Sequence, residues 1–488
     1  MCLIRGMDTT TEIAQLIQFR NALYQFFDNR ANTLMDWVDA LSSNITAQSV
    51  VQLSLNPLFR PSYSTLFKSI ADYFRPENAE ASADERRQQE QKIMRLIMPH
   101  LPHPEKQKFW VLGVDVTPWK RQFAQTLSDR GYVYYPNAIK GNKPVTIGHQ
   151  FSLLALLPEK AGMYAPAWLL PLSLRRIGTD EDKEMVGAEQ VDMLMEDPQS
   201  PIGDDLVLLA ADTAYSKPRY LHANGKHNNL VTIARARSNR VLYRVFVPDD
   251  DAPNPQAHPT WFGDRFALQD ASTWHEVDEE IWTKHTSRRG KKYDVQLECW
   301  KEMSMRGKRD VPMHKHPFTL VRVRLFDEDG NLAFKRPMWL LVVGKRRTEP
   351  TLLEIYKTYR QRYDVEHFFR FGKQRLLMDK FQTPEVDREE SWAHLVMLSY
   401  VQLWLAHTIA ERWPYPWERY LPAVKTAVDT TPSLVQRDFE RIIREIGTPA
   451  GAPKPNINDV GREKGMKLPK RPRKPVVYKG KKEAKSPP

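Results

Sequence analysis

The chain has 488 residues and a net charge of +12, and its ordinary apolar content fits a soluble globular protein of two or three domains. No apolar run approaches the ~20 residues that cross a bilayer, and Arg5 and Asp8 interrupt the start too early for a secretory leader. Cys2 and Cys299 are the only cysteines, so a disulfide framework and a cysteine-rich zinc site are excluded and a reducing, cytoplasmic setting is expected.

Residues 10–100 read as helical. TEIAQLIQFRNALYQFF and ANTLMDWVDAL carry apolar residues at helical spacing. After a break at Asn56-Pro57, a helix capped by Ser62 would present Tyr63, Ser64 and Lys68 to DNA as a helix-turn-helix; a plain helical bundle explains the same residues equally well. ENAEASADERRQQEQ reads as a linker running into a helix that ends near His100.

The pattern then turns to strands. FWVLGVDVTPW is a buried run in which Asp115 stands just before a Thr-Pro turn, and GYVYYPN and VTIGHQFSLLALL follow. An amphipathic helix over EDKEMVGAEQVDMLMED precedes the strand DLVLLAADTAY, which ends in Asp212, and then the strand NLVTIARA. Asp204 and Asp205 precede the apolar run and read as exposed loop acids. This order predicts an α/β fold with a mixed sheet and acids at strand ends.

From about Val241 to Val343, strands such as YDVQLECWKEM, TLVRVRLF and MWLLVV alternate with polar turns, as in a β-rich insertion. Its basic loops offer Arg288, Arg289, Lys291, Lys345 and Arg346 as DNA contacts. His314 and His316 are two ligands short of a zinc site, and no ATP-binding phosphate loop occurs.

EPTLLEIYKTYRQRYDVEHFFRFGKQRLL, 349–377, reads as one helix with Pro350 in its first turn. At about 100° per residue, Tyr359, Arg362 and Lys373 share roughly 60° of arc with Glu366. Val365, Phe368, Phe369 and Leu376 fill the neighbouring arc and would bury the helix. An Arg362–Glu366 surface ion pair is the plain alternative for this stripe. A core helix over EESWAHLVMLSYVQLWLAHTIAERW and a shorter one from Leu434 to Ile446, capped by Ser433, follow.

The last 28 residues, from Gly461, hold eleven Lys/Arg and two Glu, leaving only +3 for the body. This Pro- and Lys-rich stretch is expected to be disordered, and to contact phosphates or merely to aid solubility.

Two strand-end aspartates and a helical glutamate suggest a three-carboxylate site for two divalent ions, Mg²⁺ or Mn²⁺, suited to phosphodiester chemistry. At this point the sequence resembles a known family. Tyr359, Arg362, Glu366 and Lys373 match the Y-x2-R-x3-E-x6-K signature of bacterial insertion-sequence DDE transposases, and GVDVT and AADTAYS resemble that family's two aspartate motifs. The resemblance covers roughly residues 105–410. It implies a ribonuclease-H-like core with Asp115, Asp212 and Glu366 as catalytic metal ligands, and Tyr359, Arg362 and Lys373 holding phosphates. It further implies double-stranded DNA as partner, both terminal inverted repeats and target, and a homodimer in the synaptic complex, associated with the nucleoid when bound to DNA.

Trp339 resembles the family tryptophan that stacks a flipped base; a core tryptophan explains it equally well. His149 is either a group behind the metals or a hydrogen-bonded strand histidine. The implied layout is a helical N-terminal domain over 1–100 for DNA-end binding, and a catalytic core over 105–240 completed by helices over 346–446. The β-rich insertion fills 241–345, and a basic tail spans 447–488. A nuclease that cleaves without joining, and a non-catalytic DNA-binding protein, are the competing readings.

Overall fold

The computed structural model describes residues 3–63, 65–74, 82–136, 144–160, 162, 165–246, 261–287, 290–411, 430–453, 463–467 and 469–478. Its chain opens with five helices: α1 (Leu3–Phe26), α2 (Ala31–Ser42), α3 (Val50–Leu53), α4 (Thr65–Ala71) and α5 (Ala83–Ile97). A capping box between Ser82 and Glu85 starts α5. In the anticipated helix-turn-helix, α3 is one turn and α4 two turns, shortened by Pro57 and Pro61. Tyr63 and Lys68 are exposed beside α4, and Ser64 lies outside the described residues.

Strands β1 (Phe109–Lys120), β2 (Gly131–Tyr134), β3 (Val145–Leu156) and β4 (Leu170–Ile177) come next, then α6 (Lys183–Met195), β5 (Leu206–Ala211), α7 (Pro218–Asn224) and β6 (Leu230–Ala236). β4 is not among the strands that the sequence predicts. β3 pairs antiparallel with β1 and with β4, whereas β1, β5 and β6 run parallel to one another. The all-apolar LVLLAA of β5 is what a strand covered on both faces requires.

The 241–345 segment supplies β7 (Val241–Val245), β8 (Phe262–Ala267), β9 (Glu279–Thr286), β10 (Lys292–Ser304), β11 (Phe318–Phe326) and β12 (Met338–Val343). Antiparallel pairing of β12 with β6 makes these strands a continuation of the same sheet, in the order β2-β3-β1-β5-β6-β12-β11-β10-β7-β8.

Helices α8 (Leu352–Gln361), α9 (Tyr363–Arg375), α10 (Val386–Leu405) and α11 (Pro432–Ile446) complete the chain. The expected single helix over 349–377 is therefore two, meeting at Arg362. Its start is the Thr351–Glu354 capping box, with Pro350 just outside. Arg362 keeps right-handed helical dihedrals, so the side-chain spacing carries across the junction. Likewise α11 begins at Pro432, two residues earlier than expected, with Thr431 rather than Ser433 at its N-cap.

The N-terminal helices share their core with the last two. Buried Arg20 of α1 bonds Asp39 of α2 (Nη2–Oδ2 2.9 Å) and Gln402 of α10 (Nη1–Oε1 2.9 Å), while Trp37 meets Trp392 edge-on at 5.6 Å. Among the described residues no helix is long and apolar enough to cross a membrane.

Part of the basic tail has backbone partners in the fold. Lys474 N–H donates to Gln125 O (2.8 Å), and Val477 N–H donates to Arg130 O (2.7 Å), which places Val477 in a parallel bridge with Gly131 of β2. The outer edge of β2 and the loop before it thus supply backbone partners to this segment.

Candidate active site

β1 does not end at Thr117-Pro118; it continues to Lys120, so Asp115 lies mid-strand. Its pairing with β5, however, stops at Val114↔Ala211, and beyond that point only β3 remains as neighbour. Pro118 is tolerated there because one flank of the strand is open. One residue past the last pair on each side stand Asp115, still within β1, and Asp212, just beyond the end of β5. Asp212 leaves β5 and accepts a 2.7 Å bond from Ala214 N–H, capping a short 3-10 turn over Thr213–Ser216.

Gly113 lets the third acid approach. A Cβ at this position would lie 3.1 Å from Val365 Cγ2 and 3.2 Å from Leu157 Cδ1. Its absence lets α9 sit against β1 and brings Arg362 and Glu366 towards Asp115, but Asp115, Asp212 and Glu366 do not present three ligand atoms within 4.8 Å of one another. Arg362 then ties the pieces together: Nη1 donates to Asp115 Oδ2 at 2.8 Å and Nη2 to Glu366 Oε1 at 3.1 Å. The other oxygen of Asp115 accepts from Val116 N–H at 2.8 Å.

Electrostatics follow from this crowding. Burial pushes the Asp115 carboxyl up to about 6 against the opposing pull of Arg362, and the charges of Asp212 and Glu366 add to the rise. Burial works against the Arg362 cation, but Asp115, Tyr359, Glu366 and Asp212 together hold it above the usual guanidinium range. Tyr359 is buried, with its ring centre 5.9 Å from the Arg362 guanidinium carbon; burial raises its phenol, offset in part by Arg362 and Arg235.

Lys373 lies further along α9 and donates to Pro118 O at 3.0 Å. Burial lowers its ammonium, Asp379 counteracts, and nearby Lys120 and Lys380 add to the lowering.

The other expected contacts lie elsewhere. Trp339 is 1% exposed, packed among Phe266, Trp274 and Trp300, with the Arg322 guanidinium over the Trp274 ring. Enclosed in this way it has no free face for a base, which corrects the stacking expectation. Lys345 bonds Asn228, and Arg346 bonds Glu349 and the Asp204 carbonyl (2.9 Å), at the end of the sheet where β5 and β6 begin. β5 is six residues long, so this end is about 20 Å from Asp212. Lys291 is exposed beside Tyr293, and Arg288 and Arg289 lie outside the described residues. His149 does not face the carboxylates: its Nδ1 bonds Glu389 and its Nε2 lies 3.0 Å from Ser128 O. His316 pairs with His222 (2.8 Å), and His314 stacks on Trp261.

Tyr215 was missed. It is buried beside the site, and its phenol is raised well above its usual range by burial, then by Asp115, Tyr220 and Asp212. Its place in AADTAYS, three residues after Asp212, was the only signal in the sequence.

The carboxylate donor set suits hard divalent cations. Arg362 places positive charge between two of the acids, so Asp115 and Glu366 are paired with a guanidinium in this structure. Among the described residues, the one trio of ligating side chains with atoms within 4.8 Å of one another is Asp192, Glu196 and His227. There Lys226 Nζ is 2.9 Å from Asp192 and 2.8 Å from Glu196, so those carboxylates are already neutralised.

A family model described as DDE superfamily endonuclease matches residues 22–298, more than half of the chain. The match includes Asp115 and Asp212 and ends before Glu366. No curated protein matches the chain.

Proposed function

Given that the chain belongs to the DDE superfamily endonucleases, we propose that it is a DNA transposase that cuts transposon ends and joins them to target DNA. The observation that carries this reading is the Arg362 guanidinium spanning Asp115 and Glu366, with Asp212 just past the end of the adjoining strand. The strand order β4-β3-β1-β5-β6, antiparallel then parallel, with α6 between β4 and β5, favours a ribonuclease-H-like core.

Asp115, Asp212 and Glu366 would hold Mg²⁺ or Mn²⁺. Bound there, the ions supply activation of the attacking oxygen and stabilisation of the leaving one. The protein's own part is placement. Arg362 offers a planar fork to a phosphate, Lys373 a compact charge, and Tyr359 one hydroxyl donor. In the first reaction water attacks phosphorus at the transposon end and the 3′ oxygen leaves as a hydroxyl. In the second that hydroxyl attacks a target phosphate, forming one phosphodiester as another breaks. Holding two ends for concerted joining calls for two copies of the chain.

The test uses labelled element ends, blunt or precut to a 3′-hydroxyl, with plasmid target and Mg²⁺. Joined products from the precut end are expected, and Glu366→Gln should bind ends without cutting them. Cleavage without joining would favour a plain nuclease, and full cleavage by Glu366→Gln would remove Glu366 from the chemistry.

A further inference from the structure

The tail was read from sequence as a loose basic strip, yet residues 469–478 are held by their backbone while their charged side chains face solvent. Arg130 is the fastening point. Its guanidinium donates to Lys474 O (Nη2, 2.9 Å) and to Arg121 O (Nη1, 3.2 Å), so one buried side chain links the tail to the end of β1. The bonds from Lys474 to Gln125 and from Val477 to Arg130 lie on either side of it. Tyr478 Oη is 3.1 Å from Tyr132 Oη, and Arg471 reaches Glu385, at the N-terminus of α10, at 3.1 Å.

The segment is therefore a strap with a fixed course, from the start of α10 across the loop after β1 to the free edge of β2. It lies at the end of β1 that carries Lys120, which is exposed with Nζ 3.4 Å from the Tyr135 ring centre, near Lys373 and Lys380. Lys470, Arg473 and Lys474 are exposed along the strap. A fixed row of cations continuing from the active-site rim suits a polyanion of regular charge spacing.

We infer that the docked strap 469–478 is a duplex-DNA backbone clamp, binding the phosphates that flank the cleavage point through Lys470, Arg473 and Lys474. This rests on the DNA-cleaving reading above and adds a defined surface to it. Docking matters because cations held in place lose less freedom on binding than cations on a free tail.

Binding of the full-length chain to a fluorescent random-sequence duplex, measured by anisotropy across a potassium chloride series, tests the inference. Replacing Lys470, Arg473 and Lys474 together by Ala should lower the salt slope by about 2–3, near 0.9 for each phosphate lost, with roughly tenfold weaker binding. Val477→Pro keeps every charge but removes the N–H that bonds Arg130 O, and it should lower the slope by a comparable amount. Deleting 469–488 should do at least as much without introducing a proline. A parental slope in the triple variant or the deletion would overturn the inference. So would a parental slope in a folded Val477→Pro protein, because the cations would then act as a free tail. Mg²⁺-dependent plasmid nicking by the parent and by Asp115→Asn, scored on the same preparations, tests the cleavage reading separately, so either can fail alone.

Discussion

Arg362 and Asp115, 247 residues apart in sequence, meet at 2.8 Å, and the same guanidinium reaches Glu366 one helical turn away. A cation thus sits among acids whose mutual repulsion is otherwise uncompensated. Burial, against the pull of Arg362 and with the charges of Asp212 and Glu366 adding to it, leaves Asp115 raised to about 6. Between about pH 4 and 6 the folded chain holds this proton more tightly than the unfolded chain does, so stability falls as pH rises through that window and stays low above it. In chelator, Asp115→Asn should therefore flatten the stability–pH curve and be more stable than the parent at neutral pH by roughly 1–2 kcal/mol. Mg²⁺ should raise the melting temperature of the parent and leave the variant unmoved. Urea titrations at several pH values check this, and identical curves would mean that Asp115 carries no such penalty.

Gly113 controls how closely α9 approaches β1. An added methyl would press on Val365 and Leu157 at 3.1 and 3.2 Å, so a neighbour must yield by a few tenths of an ångström. Gly113→Ala should cost no more than about 1–3 kcal/mol of stability. By displacing Arg362 and Glu366 relative to Asp115 it should slow cleavage about 10–100-fold with DNA affinity unchanged. Single-turnover cleavage beside an anisotropy titration separates the two effects; a parental rate would show that α9 can shift without consequence.

What could be read from sequence was the local part. Apolar runs closed by an acid pointed to Asp115 and Asp212, and helical spacing grouped Tyr359, Arg362, Glu366 and Lys373, because both signals repeat within a few residues. β4 was not legible, since Pro171 reads as a break; in the fold that proline falls where the β3–β4 register shifts, and a bulge tolerates a missing N–H. The continuation of β1 through Pro118 was hidden for a related reason: only the end of β5 leaves that flank open. The docking of the tail is carried mainly by backbone groups and leaves little side-chain pattern. The roles of Trp339 and Glu389 depend on partners from remote segments.

Glu389 is an acid in the first turn of α10, fully buried, bonded to Arg121 and His149. Burial opposes its charge, but Arg121 and His149 more than offset this and hold the carboxyl down at about 2. The depressed value means its contribution is present above the ordinary carboxylate range and lost as pH falls towards about 2. Glu389→Ala leaves two buried cationic or polar groups without their acid and should cost about 3–5 kcal/mol at pH 7. The deficit should shrink in acid. Urea unfolding at pH 7 and pH 3 measures both, and an equal deficit at the two pH values would rule out this linkage.

Trp339 tests whether the aromatic cluster of the insertion is structural or touches DNA. Its ring is 5.4 Å from Trp274, 5.7 Å from Trp300 and 6.2 Å from Phe266, and none of its faces is open. Trp339→Ala should therefore destabilise the fold by about 3–5 kcal/mol through the cavity it leaves. Trp339→Phe, which retains most of the volume and could still stack on a base, should recover much of that stability. Exposed Trp282, at 56%, provides the control: its replacement by Ala should alter stability by about 0.5 kcal/mol or less. If Trp339→Ala kept parental stability while 2-aminopurine fluorescence at the cleavage point lost its quenching, the ring would have to leave the core to meet DNA, and the packed cluster would be a resting state of the insertion.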